Sequence, residues 1–80
     1  MDNKKYIILY FDDNEGLVKI SRNISHNEIK KRFSDLKAKV EEYPRYEVID
    51  FTEHGYLKYM DNSTGFIHIV EAIDKELFEL

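Results

Sequence analysis

The residues best suited to do chemistry in this 80-residue chain are its three histidines, His26, His54 and His68. Imidazole titrates near neutral pH and ligates metals, but a zinc site needs partners at short, characteristic spacings. No two of these histidines stand at i,i+4 or in one short loop, and there is no cysteine to complete a ligand set. Asp12-Asp13-Asn14-Glu15-Gly16 opens like a calcium loop, with alternating oxygen ligands. Its glycine comes one position early, and Asn23 stands where the closing bidentate glutamate belongs, so a hairpin turn is the better reading. Ser21, Ser25, Ser34 and Ser63 lack the flanking glycines of a nucleophile elbow, and the three glycines are too scattered to cradle phosphate. The spacing therefore points away from an enzyme, and no cofactor or metal is expected.

The elements that must position any site follow from periodicity. Lys5 to Asp12 is β-branched and aromatic on both faces, with Ile7, Leu9 and Phe11 opposite Tyr6, Ile8 and Tyr10. Leu17 to Arg22 resumes alternation, placing Val18 and Ile20 on one face, and completes a hairpin. Ser25 and Glu28 have capping-box spacing, and Ile24 and Ile29 have that of a hydrophobic staple. Ile29, Phe33, Leu36 and Val40 then form one helical stripe, while Pro44 forces an end, which predicts a helix over Ser25 to Tyr43. Glu28–Arg32, Asp35–Lys39 and Lys37–Glu41 fall at i,i+4 on its outer side.

Tyr46 to Thr52 and Tyr56 to Met60 read as strands around the reversal Glu53-His54-Gly55. Asp61 to Gly65 is dense in turn formers, and Asn62-Ser63-Thr64, like Asn23-Ile24-Ser25, matches a glycosylation sequon by coincidence. Phe66 to Val70 fits either period; Gly65 before it and Ile67 off the helical stripe favour a strand, with a short helix from about Asp74. The order β-β-α-β-β-β predicts one compact α+β domain over residues 1–80. It has two layers, an antiparallel sheet of about five strands with one amphipathic helix packed on one face. If that helix covers Ile7, Leu9 and Phe11, then Tyr6, Ile8 and Tyr10 are left open unless Leu77, Phe78 and Leu80 fold back over them.

Charge narrows the function. The chain carries −4 overall. From Arg22 to Arg45 seven bases outnumber four acids, whereas from Tyr46 onward eight acids face only Lys58 and Lys75. A basic helix and an acidic sheet side follow, and an acidic surface attracts basic proteins while repelling nucleic acid. Six tyrosines add large amphipathic side chains of the kind enriched at interfaces. The leading expectation is a non-enzymatic acidic module, of bacterial or phage type, that docks on a basic surface of a larger protein. One form is an inhibitor that fills a nucleic-acid-binding cleft. Its candidate contacts are Tyr56, Tyr59, Glu47, Asp50, Glu53 and Asp61, with Tyr6 and Tyr10 if the second face is open. The alternative is a homodimeric or small-ligand-binding domain using an apolar sheet face. Nucleic-acid contact through Lys30, Lys31, Arg32, Lys37 and Lys39 ranks last, because acids alternate with these bases. The longest apolar run, Tyr6 to Phe11, is far short of the roughly 20 residues a membrane helix needs, so a cytoplasmic protein is expected.

Overall fold

A computed structural model describes residues 4–78. Five strands, β1 (Lys5–Asp12), β2 (Gly16–Ser25), β3 (Tyr46–Thr52), β4 (Tyr56–Asp61) and β5 (Phe66–Asp74), form one sheet. The strand order is β2-β1-β5-β4-β3, and every neighbouring pair is antiparallel. The helix α1 (His26–Glu42) joins β2 to β3, and the short α2 (Lys75–Phe78) follows β5. The expected two-layer α+β arrangement is what the chain adopts, including the strand after Gly65, which runs on to Asp74.

The connection from β2 to β3 carries the chain from one edge of the sheet to the other. Five strands about 4.8 Å apart separate the outer pair by about 19 Å, and 17 helical residues span about 25 Å. The helix therefore crosses the sheet diagonally. It starts beside Ser25, which pairs with Lys5 at one end, and delivers Tyr46 opposite Asp61 at the other. Ser25 caps it by accepting the Glu28 N–H at 3.2 Å, while the Glu28 carboxylate turns to Arg32 at 2.8 Å. At the far end the Tyr43 N–H donates to Val40 O. Of the three i,i+4 pairs the sequence suggests, Glu28–Arg32 and Lys37–Glu41 form ion contacts.

Beneath α1, Ile29, Phe33 and Val40 interlock with Ile8, Ile24, Leu57 and Val70 in the buried core. Tyr6 and Tyr10 pack against the same cluster. The condition that α1 covers Ile7, Leu9 and Phe11 is not met: the helix lies on the Tyr6–Ile8–Tyr10 face. The staple explains the choice. Ile24 must meet Ile29, and Ile24 pairs with Tyr6, so the face carrying Tyr6 is the one the helix takes. Leu9 pairs with Ile20 and Phe11 with Leu17 across a register shift, so a bulge at Val18 adds Leu17 to the face of Ile20. Gly55, at φ +123°, lies against the core, where a Cβ would stand 2.8 Å from the Ala72 Cβ.

Candidate functional site

The three histidines stand in different elements: His26 opens α1, His54 lies between β3 and β4, and His68 is in β5. The His26 ring lies 5.8 Å from that of Tyr6, and His54 is exposed in the β3–β4 turn. His68 Nδ1 stands 3.3 Å from Asp12 Oδ2, and its ring stacks on Tyr59 at 5.0 Å. Among the described residues no group of three or more histidines, aspartates or glutamates is placed to hold a metal ion.

The stack on His68 belongs to an aromatic run that sequence reasoning did not assemble. Tyr43, Tyr46 and Tyr59 meet edge to face at 5.9 and 5.4 Å, and Tyr59 continues to His68. Arg45 lies 4.8 Å over the Tyr46 ring, donates to Tyr46 Oη at 2.6 Å and approaches Asp61 at 3.6 Å. That hydrogen bond, and then the nearby Asp61, raise the Arg45 pKa and hold it cationic. Burial, followed by Tyr46, Asp61 and Asp12, raises that of Tyr59 and keeps its hydroxyl neutral. Tyr43, Arg45, Tyr46 and Tyr59 line a cavity of about 480 Å³ beside the last turns of α1, together with Leu36, Lys39 and Val40. Asp61 and the negative end of the helix dipole offset Arg45 and Lys39. Little net charge is left there to select a ligand.

The opposite face of the sheet is different. Cross-strand register places Leu9, Phe11, Leu17 and Ile20 there with Ile67, Ile69, Glu71 and Ile73, and with Tyr56, Lys58 and Met60. Glu47, Asp50 and Thr52 of the edge strand β3 complete it. α2 packs on β1 and β5. Ile7 and Leu9 are buried, but Phe11, Ile67 and Ile69 are only half-buried and Leu17 is 49% exposed. Around this apolar strip stand the carboxylates of Glu47, Asp50 and Glu71, and Lys58 is the one lysine or arginine in β3, β4 and β5. The basic residues Lys30, Lys31, Lys37 and Lys39 all lie on α1, in the other layer.

The candidate contacts therefore divide between two faces. Glu47, Asp50 and Tyr56 share the uncovered face, and Glu53 is exposed in the turn beside it. Tyr59, Tyr6 and Tyr10 pack beneath α1, which removes the condition under which Tyr6 and Tyr10 would form an open patch. Asp61 is buried and engaged: Ser63 donates to its Oδ1 through N–H at 2.9 Å and Oγ–H at 2.6 Å. The hydroxyl bond, then the backbone bond and Arg45, lower its pKa, so this carboxylate closes the β4–β5 turn. The possible cover by the C-terminal tail is not met at Leu77, which is 68% exposed; the Phe78 side chain and Leu80 lie outside the described residues. Residues the sequence reading passed over, Phe11, Ile67, Ile69 and Glu71, join the uncovered face through the β1–β5 pairing. Phe11 had already marked itself by alternation within β1, but its neighbours on β5 are more than 50 residues away in the chain.

Among the described residues no helix is long and apolar enough to cross a bilayer. Compared with known proteins, the chain matches no family model, no curated protein and no solved structure.

Proposed function

We propose that this chain is a non-enzymatic protein-binding module that lays its uncovered sheet face on a basic surface of a larger protein. One form of such a module is an inhibitor, of bacterial or phage type, that occupies a nucleic-acid-binding cleft. The observation that carries the reading is the half-buried strip of Phe11, Ile67, Ile69 and Met60, with Glu71 within it on β5 and Glu47 and Asp50 along the β3 edge. An apolar centre supplies burial on association, and the excess of carboxylates, against Lys58 opposite Asp50, supplies steering and partner choice. A second copy on this face would bring two acidic rims together, and a phosphate backbone would be repelled by one. A basic protein surface satisfies both parts.

The test starts from the immobilised protein and its Glu47→Lys/Asp50→Lys variant, both checked for folding by circular dichroism. A partner recovered from host extract by the first and lost by the second is then purified. Its association rate is measured as ionic strength rises from about 0.01 to about 0.15 M, where the Debye length shrinks from about 30 to about 8 Å. The rate is expected to fall about tenfold or more, and nucleic acid to compete for the partner. Salt-indifferent binding, or retention by the charge-reversed variant, overturns the reading.

A further inference from the structure

Within the uncovered face one depression of about 330 Å³ is bounded by Phe11, Asp13, Gly16, Tyr56, Ile67 and Ile69, with Glu71 at its wall. We infer that it is an anchor pocket for a single arginine side chain of the partner. This rests on the docking function proposed above and names the group that the face selects.

Register builds the pocket from three strands. β5 supplies Ile67, Ile69 and Glu71 as its floor; Phe11 of β1 stands opposite Ile69 on one side, and Tyr56 of β4 opposite Glu71 on the other. An aliphatic stem would cover the isoleucines while the planar guanidinium lies between aromatic rings and reaches a carboxylate. No lysine or arginine lines the depression. Lys58 stands opposite Ile69, outside the lining.

The two carboxylates available are Asp13 and Glu71, neither of which forms an ion pair among the described residues. Asp12, also at the wall, is otherwise occupied. Its Oδ1 accepts the Asn14 and Glu15 N–H groups at 2.7 and 3.3 Å, and its Oδ2 faces His68. Asp13 is held at the rim by its own N–H, which donates to Ile67 O at 3.0 Å and ties the turn to the floor. Arginine fits better than lysine because its delocalised charge is weakly hydrated, stacks on aromatic faces and forks onto a carboxylate.

The probe is N-acetyl-arginine amide, titrated into the full chain and followed by backbone and methyl NMR. Saturable shifts are expected at Gly16, Ile67, Ile69 and Glu71. The uncharged isostere N-acetyl-citrulline amide is expected to bind about tenfold more weakly. Asp13→Asn and Glu71→Gln, each folded as judged by urea unfolding, should each weaken arginine binding severalfold. Equal shifts from arginine and citrulline, shifts spread elsewhere, or unchanged binding in both variants would refute the pocket. A partner whose salt-dependent binding survives Asp13→Asn/Glu71→Gln but fails in Glu47→Lys/Asp50→Lys refutes the pocket alone. Specific arginine binding without any salt-dependent partner supports the pocket and removes the docking role.

Discussion

The two faces of this sheet are made from the same kinds of residue and are buried to different degrees. Under α1, Ile8, Leu57 and Val70 are sealed against Ile29 and Phe33. On the other side Ile7 and Leu9 are buried too, near α2, while Phe11, Ile67 and Ile69, as apolar and as large, are only half-buried. Apolarity therefore does not decide burial here; the path of the chain does. Each fully buried large side chain is worth about 1.5–3 kcal/mol, so stability concentrates under the helix. The open face retains unspent apolar area that a partner can cover.

That contrast can be broken by unfolding experiments in urea. Phe33→Ala is expected to cost about 3–5 kcal/mol, a large share of the stability of a domain this size. Ile69→Ala on the open face should cost about 1 kcal/mol, since only part of its surface is buried. Equal losses would mean that the two faces are not energetically distinct.

The turns sharpen the same comparison with a smaller effect. Gly55→Ala meets both a left-handed backbone at φ +123° and the Ala72 Cβ under the helix layer, and should cost about 2–4 kcal/mol. Gly16, at φ +80° with open space around it, borders the uncovered face; its alanine variant should cost only about 1 kcal/mol. Midpoints of chemical unfolding rank the two.

The smallest effect concerns acid. Asp61 and Asp74 hold pKa values below the ordinary carboxylate range, Asp61 through Ser63 first and Asp74 through the Glu76 N–H and then Lys4. A depressed folded pKa means stability that is present above the unfolded value of about 3.9 and is lost as pH falls through the folded one. Unfolding measured against pH should thus be flat in this respect near neutrality. Asp61→Asn should be less stable than the parent at pH 7, with the difference closing below about pH 4. A difference that persists in acid would assign the effect to packing rather than to charge.

Much of the fold was legible because its signals are local. Ser25, the Ile24–Ile29 staple, the Ile29–Phe33–Leu36–Val40 stripe and Pro44 each act within a few residues, and together they delimit α1. The turn at Asp61 to Gly65 was equally plain, although its first residue proved to be a buried turn former rather than a surface contact. The faces were harder. Strand β1 is apolar on both sides, so its own pattern does not say which side meets the helix. The staple held the answer, but only once Ile24 was paired with Tyr6, and a bulge in β2 shifts that count.

By itself the sequence determined the elements, their order and the separation of charge, with bases along one helix and acids along the last three strands. These depend on spacing and on covalent neighbours. Only the tertiary structure decided that β5 lies between β1 and β4, which brings Phe11, Tyr56 and Glu71 to one depression and packs Tyr6 and Tyr10, half-buried, against the core under α1. Strand pairing between distant segments is chosen by the closing of the whole core around α1, and one residue of slippage would exchange the two faces.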